Sequence, residues 1–337
     1  MALLQTFRLP PGLNRLTWRQ LFLLCVLLSG LMYLLRLRRP VPIRAASGSH
    51  ASERGPSHSH PPTRTSWGAP LVWGDNKASL RQRAEFEQRS FRVGLMVLAV
   101  GRYTHYLSHF LQTAEKHFFP GMPVSYYVLT DNPNKFDPPP ELGEDRELRV
   151  VLVTEIPGWG HLARRRMDLL ASTIDNQAQQ EVDYVFCADV DQEFVNLVGT
   201  EILGTLVATL HPEYYSMPAT ALPYERSSDS RACVLDEEGD YYYTSEFYGG
   251  LCSEMLALTK LCSQLILQDR AMGVEAKHLE ESYLNRYLVD KRPSCVLSPE
   301  YSWWDSPAAP KVPHKRVISL GRQCASLRNQ GKSSMYC

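Results

Sequence analysis

The chain has 337 residues, enough for one large domain or two small ones. Its 36 Lys and Arg balance its 36 Asp and Glu, so the net charge is zero and gives no support for a nucleic-acid binder. Eight cysteines include no Cys-x-x-Cys pair, which removes the common zinc frameworks.

Residues 1–19 read as a short cytosolic tail. Gln20 to Leu35 is uncharged and mostly apolar, sixteen residues between Arg19 and Arg36. That is shorter than the ~20 residues that comfortably span a bilayer, but flanking arginines snorkel and early secretory membranes are thin. A cleaved signal peptide with a small-residue site at Ala45-Ala46 is the competing reading. Basic residues lie on both sides of the segment, so the positive-inside rule does not set orientation. An uncleaved transmembrane signal-anchor is expected, because almost the whole chain follows it. Residues 36–63 are rich in Arg, Ser, His, Pro and Gly and poor in large apolar side chains, a flexible stem. No Asn-x-Ser/Thr sequon occurs. Cys187 and Cys295 lie beside apolar runs and are expected to be buried. Cys233, Cys252, Cys262, Cys324 and Cys337 are free to pair in a lumen, without a spacing that fixes the pairs.

A globular part is expected over 64–337, beginning at Trp67 to Trp73. The charged stretch Asn76 to Ser90 reads as a helix, and Val93 to Val100 as a buried parallel strand. Tyr106, Phe110, Leu111, Ala114 and Phe118 repeat at helical spacing. Val124 to Thr130 is a strand, 132–145 a Pro-rich loop and Leu148 to Val153 a strand. Arg164 to Gln180 is a helix with Met167, Leu170, Ile174 and Ala178 on one face. This alternation predicts a doubly wound α/β sheet, with ligands at strand carboxyl ends. Leu251 to Gln268 is a helix with Met255, Leu258, Leu261, Leu265 and Ile266 inward; Glu275 to Leu288 is another, carrying Glu280-Glu281. The tail after Pro310 is basic (Lys311, Lys315, Arg316, Arg322, Arg328, Lys332): either a solvated end or a cationic flap over a diphosphate.

The stretch Tyr184 to Ala188 is an apolar, β-branched and aromatic strand that runs into Asp189-Val190-Asp191. Residues two apart on an extended backbone face the same side. Two carboxylates so placed call for a cation, and hard oxygen donors suit Mn²⁺ or Mg²⁺ carrying phosphate oxygens. The competing reading is two solvated aspartates at a strand end; the tripeptide alone does not choose.

From Trp67 to Asn329 the sequence resembles glycosyltransferase family 6, which holds the blood-group A and B transferases, α1,3-galactosyltransferase, isoglobotriaosylceramide synthase and Forssman synthase. The resemblance rests on Trp67-Gly68-Ala69-Pro70-Leu71-Val72-Trp73, Ala99-Val100-Gly101-Arg102-Tyr103, Tyr126 to Asp131, Arg165-Arg166-Met167, Asp189-Val190-Asp191, Leu210-His211-Pro212, Glu238 to Tyr242, Glu281-Ser282 and Leu327-Arg328-Asn329. It implies a type II, single-pass Golgi membrane enzyme. Its fold would be the α/β, two-lobed, UDP-binding GT-A type with a mixed central sheet, preceded by one transmembrane helix. The nucleotide lobe would cover about 64–195, and the acceptor lobe with the basic tail about 196–337. It further implies retaining transfer of galactose or N-acetylgalactosamine from UDP-galactose or UDP-N-acetylgalactosamine to O3 of a β-galactoside, with Mn²⁺. Carried over by position, Leu98, Ala99, Val100 and Tyr103 would line the uridine pocket. Asp189 and Asp191 would hold the metal, Arg166 would meet the donor sugar, and Arg322 and Arg328 would clamp the diphosphate. His211 would contact the acceptor, and Glu281 is the candidate catalytic carboxylate.

Three departures bear on substrate choice. The donor-pocket tripeptide reads Thr244-Ser245-Glu246, with Glu246 in place of Gly or Ala. The family's Trp-His-Asp-Glu-Ser run becomes His278-Leu279-Glu280-Glu281-Ser282, and the acceptor-side Asp is displaced by one in Tyr301-Ser302-Trp303-Trp304-Asp305. Crowding by Glu246 disfavours an acetamido group, and Gln192 stands where galactose-transferring members tend to have Gln. UDP-galactose is therefore the expected donor. A catalytically weakened member that binds UDP or glycan without efficient transfer is the alternative.

Overall fold

The computed structural model describes residues 62–74, 76–86, 89–136, 140–154, 159–305 and 312–329. The expected cytosolic tail and transmembrane anchor, and nearly all of the expected stem, lie outside them. No helix among the described residues is long and apolar enough to cross a membrane.

One eight-stranded sheet forms the centre, in the order β1-β9-β7-β8-β5-β2-β3-β4. The strands are β1 (Leu71–Val72), β2 (Val93–Ala99), β3 (Val124–Thr130), β4 (Arg146–Leu152), β5 (Tyr184–Asp189), β7 (Leu206–Leu210), β8 (Tyr243–Leu251) and β9 (Cys295–Leu297). All neighbours pair in parallel except at β8, which is antiparallel to both β5 and β7. The sheet is mixed rather than purely doubly wound, and it joins both of the expected lobes. The reason shows in the chain: the connection from β7 to β8, residues 211–242, carries no crossover helix to bring the chain back to the other edge, so β8 returns antiparallel to β7. A small antiparallel pair, β6 (Gln192–Phe194) with β10 (Val317–Ser319), sits beside the main sheet.

Helices cover both faces. They are α1 (Lys77–Phe86), α2 (Leu107–His117), α3 (Trp159–Thr173), α4 (Cys252–Ala271), α5 (Glu280–Asp290) and α6 (Leu320–Asn329). β2 and β3 are buried along their whole length, as a strand packed on both faces must be. Met167, Leu170, Ile174 and Ala178 all reach the core as the spacing predicted, α3 continuing through a π turn at Ile174–Ala178. On α4 the inward face is Met255, Leu258, Cys262 and Ile266; Leu265 is partly buried and Leu261 is exposed, one residue off that stripe. α5 starts at Glu280, not Glu275, because Leu279 takes φ +48, outside the helical region.

Cys187 and Cys295 are buried as expected; they, Cys233, Cys252 and Cys262 are free thiols. Cys324 is disulfide-bonded.

Phe247 of β8 is fully buried and stacks on Phe186 of β5 at 5.7 Å between centroids. Phe247→Ala leaves a cavity at the centre of the sheet and should cost about 3–5 kcal/mol in urea unfolding. A loss under 1 kcal/mol would mean that this pair does not anchor β8.

Candidate active site

Seven strands run the same way, so their carboxyl ends meet along one edge. Asp189 closes β5 there, opposite Leu98 of β2. Because β8 runs the other way, its beginning lies at this edge: Phe247 pairs with Ala188, which places Glu246 beside Asp189. Between β7 and β8 the register jumps from Ala208↔Tyr248 to Thr209↔Thr244. The intervening Ser245, Glu246 and Phe247 therefore bulge from the β7 ladder, a device that re-aims side chains near sites. His211 follows β7 at the same edge. β10 leads into α6, whose Leu320 N–H donates to the Asp191 carbonyl at 2.8 Å. Gly321 lies so close to Asp191 that a Cβ there would stand 2.1 Å from Oδ2. No side chain fits at that position without moving the aspartate.

These elements enclose a cavity of about 620 Å³ lined by Leu98, Arg102, Tyr103, His105, Tyr106, Leu162, Arg166, Asp189, Val190, Asp191, Glu246, Gly321 and Arg322. Of the uridine-pocket candidates, Leu98 and Tyr103 reach this wall. The side chains of Ala99 and Val100 go into the apolar core instead. Thr244, Ser245, His211, Glu280 and Glu281 stand behind the wall, each buried. Arg328 lies in α6, and its side chain is outside the described residues. Elsewhere in the basic tail, Lys315 pairs with Asp305 at 2.7 Å and Arg316 is buried within 3.7 Å of Glu201. Those two are structural and do not form a flap. The displaced Asp305 is exposed and also accepts from the Trp303 indole at 3.1 Å.

Arg166 is the electrostatic centre, with its side chain 3% exposed. Its Nη1 lies 2.6 Å from Asp189 Oδ1 and 3.6 Å from Glu280 Oε1, and Nη2 donates to the Ser245 carbonyl at 3.0 Å. Burial opposes its charge, but Asp189 and Glu280 hold the guanidinium protonated well above its ordinary range. Burial pushes Asp189 up against the pull of Arg166, and pushes Asp191 up further with Asp189 beside it. Glu246 raises both. Glu280 is pushed up to about 7 by burial, against the pull of Arg166.

Glu281 Oε2 accepts from Ser245 N–H at 2.8 Å and from Ser245 Oγ at 3.1 Å. Burial raises its carboxyl. Asn285, one turn along α5, is pinned to both backbone groups of Tyr243 and to the Glu281 carbonyl, which locks α5 to β8. His211 stacks on Tyr214 at 4.3 Å and meets the edge of Trp304 at 5.4 Å. Burial and the charge of Arg322 keep it neutral. Its Nδ1 accepts from Glu213 N–H at 3.3 Å, so the proton sits on Nε2. Glu246 bonds the Arg322 Nε and accepts from Ser302 Oγ at 2.8 Å. Arg322 lies over the Trp304 ring, its Cζ 4.7 Å from the centroid. Gln192 is buried beneath Ser302, 3.4 Å from its Oγ, and does not reach the cavity. Arg102, His105, Tyr106, Leu162 and Gly321 on the wall were not among the expected site residues; the signal for the first three was their place in the 3-10 turn that follows β2 at its carboxyl end.

The donor set tests well against a hard divalent cation. Asp189 and Asp191 face one cavity with raised carboxyls, and Arg166 occupies only one oxygen of Asp189. Among the described residues no three acidic, His or Cys side chains group as a complete metal site, so water or a ligand would supply the other oxygens.

A mixed α/β sheet with paired aspartates and arginines at its carboxyl edge is consistent with a GT-A type glycosyltransferase. The family model of glycosyltransferase family 6 matches residues 56–329, and the chain belongs to that family. It is 39% identical over 268 residues to the globoside alpha-1,3-N-acetylgalactosaminyltransferase 1 of Gallus gallus, covering 79% of this chain and 78% of that one. It is 40% identical over 239 residues to the histo-blood group ABO system transferase 1 of Rattus norvegicus, covering 71% and 68%. To the alpha-1,3-galactosyltransferase 2 of Homo sapiens it is 36% identical over 242 residues, covering 72% and 71%.

Glu280 binds its proton more tightly in the folded state, about 7 against an ordinary 4.5. Its contribution to stability is complete below the unfolded value and fades as pH rises through the folded one. The metal-free protein should melt at a lower temperature at pH 7.5 than at pH 5. Glu280→Gln should flatten that slope by up to about 1.4 kcal/mol per pH unit in this window. An unchanged slope would place the shift elsewhere.

Proposed function

We propose that this glycosyltransferase transfers galactose from UDP-galactose, with N-acetylgalactosamine as the other candidate sugar, to O3 of a β-galactoside with retention. The observation that carries the reading is the convergence of Asp189, Asp191, Arg166, Arg322 and Glu246 on one cavity, with Glu281 held behind it by Ser245. The relatives described above are named for both sugars, so the donor preference rests on this chain's own pocket. Glu246 adds a buried carboxylate at the cavity wall, and that bulk disfavours an acetamido group. Gln192, buried away from the cavity, adds nothing to the preference.

In this reading Asp189 and Asp191 would hold Mn²⁺, which would supply positive charge to the leaving diphosphate. Arg166 fixes the Asp189 rotamer and offers its remaining N–H groups to the donor. Leu98 and Tyr103 supply apolar and aromatic wall for the uracil. Neutral His211, with a proton on Nε2, donates to an acceptor hydroxyl. Glu281 stands behind the cavity wall on Ser245, and the anomeric carbon of a bound donor would have to come within reach of it past that wall. Within that reach Glu281 acts as nucleophile or as stabiliser of positive charge at the anomeric carbon. Ser245 keeps that carboxylate oriented by two donated hydrogen bonds. The Cys324 disulfide and the apolar segment 20–35 both support a Golgi-lumenal domain on a type II anchor.

A weakened member of the family is the second reading, favoured by one observation: Glu246 already occupies Arg322. Parallel transfer assays of the full chain in detergent, with both UDP-sugars, Mn²⁺ and lactose, separate the two. Transfer from UDP-galactose supports the first; UDP binding without transfer or hydrolysis supports the second.

Asp191→Asn should remove Mn²⁺-dependent UDP binding, and Gly321→Ala should weaken it about tenfold by displacing the same carboxylate, each read by calorimetry. UDP binding that survives Asp191→Asn would sink the metal assignment. Glu281→Gln should leave UDP affinity intact and lower kcat on the order of 10²-fold or more, the scale of losing a group that meets developing charge. Equal loss of affinity and rate would make Glu281 a structural group.

A further inference from the structure

Glu246 is the largest departure from the family's donor pocket, and its surroundings give it a specific task. The carboxylate is nearly fully buried, and both of its oxygens are engaged. Oε1 holds the Arg322 Nε, and Oε2 accepts from Ser302 Oγ at 2.8 Å. Ser302 lies within 3.4 Å of the buried Gln192 amide. Glu246 is thus anchored from below. Its partner is not: the Arg322 side chain is 47% exposed, rides on the Trp304 ring and sits on the terminal helix.

We propose that Glu246 is an internal stand-in for the donor diphosphate: it holds Arg322 in the nucleotide-free chain, and the diphosphate must take Arg322 from it. This rests on the reading of the cavity as a UDP-sugar site. A carboxylate oxygen and a diphosphate oxygen present the same anionic acceptor to a guanidinium N–H, and Glu246 through Oε1 already meets the Arg322 Nε and offsets its charge. One Arg322 Nε cannot serve both at full strength. The anchored carboxylate therefore lowers diphosphate affinity selectively and keeps α6 seated on Asp191 before nucleotide arrives. A nucleoside without phosphates does not compete for Arg322 and is indifferent to Glu246.

The test uses the full chain in detergent with Mn²⁺, titrated with UDP and with uridine by calorimetry. Hydrogen exchange over residues 320–325 is followed in the same samples. Glu246→Gln keeps the shape and removes the charge. It should bind UDP about tenfold tighter and uridine unchanged. Exchange at 320–325 should be faster than wild type without nucleotide and equal to it with UDP. Glu246→Ala is the second variant, in case the first folds poorly, and should give the same split. UDP affinity unchanged or weakened, or uridine shifted as much as UDP, overturns the proposal. If wild type binds UDP and the variants do not differ, the latch alone fails. If wild type binds no UDP with Mn²⁺, the donor reading fails and takes the latch with it.

Discussion

A buried guanidinium governs the rest of this site. Arg166, nearly inaccessible to solvent, is sustained by the carboxylates of Asp189 and Glu280 and the carbonyl of Ser245. Removing one partner of such a cluster leaves uncompensated charge in a low-dielectric interior, a strongly destabilising change. The three partners come from β5, α5 and β8. Neutralising one charge therefore fixes the relative positions of the elements that carry the candidate metal ligands, the candidate catalytic carboxylate and the donor-pocket tripeptide. Burial raises the carboxyls of Asp189, Asp191 and Glu280; Arg166 offsets it in part at Asp189 and Glu280, and Arg322 in part at both aspartates.

The antiparallel strand β8 makes that cluster possible. In an all-parallel sheet, residues at the start of a strand lie at the edge opposite the site. Reversing β8 brings its first residues to the carboxyl edge, and the register jump at Ala208/Thr209 frees Ser245 and Glu246 from the β7 ladder. Ser245 then gives its carbonyl to Arg166 and its N–H and hydroxyl to Glu281. One residue thus connects the charge cluster to the carboxylate behind the cavity. Asn285 secures the same junction from α5.

Much of this was readable in the chain, and the limits have physical causes. β3 was readable because its apolar run is continuous, and the core face of α3 because its period is 3.6 residues. Asp189-Val190-Asp191 was readable because the apolar strand before it fixes where the carboxylates emerge. The reversal of β8 was not, since a buried strand carries no mark of direction. The start of α5 was misplaced because nothing in the sequence signals that Leu279 takes a positive φ. Arg316 and Arg322 are alike in sequence, both basic residues of the tail. Only tertiary contact makes one a buried partner of Glu201 and the other a cavity wall. Leu261 was assigned inward on hydrophobicity, whereas the geometry of α4 gave that place to Cys262.

The same distinction separates what the family imposes from what this chain adds. Asp189, Asp191, Arg166 and Glu281 match the family pattern in residue type, and their geometry can be described without reference to any departure. Glu246 cannot be treated that way. It touches Arg322 and Ser302 directly; through them it reaches Trp304, which packs against His211. Ser302 and Trp304 lie within the other stretch that departs from the family run, Tyr301 to Asp305. Two of the three departures, Glu246 and the 301–305 run, are therefore in contact. A buried acidic residue at the cavity wall requires a hydroxyl and a cation to satisfy it, and Ser302 and Arg322 are the groups that do so. Arg322 on the cavity wall and His211 behind it are thus joined by a chain of contacts that runs through Trp304, with Glu246 and Ser302 holding it from below.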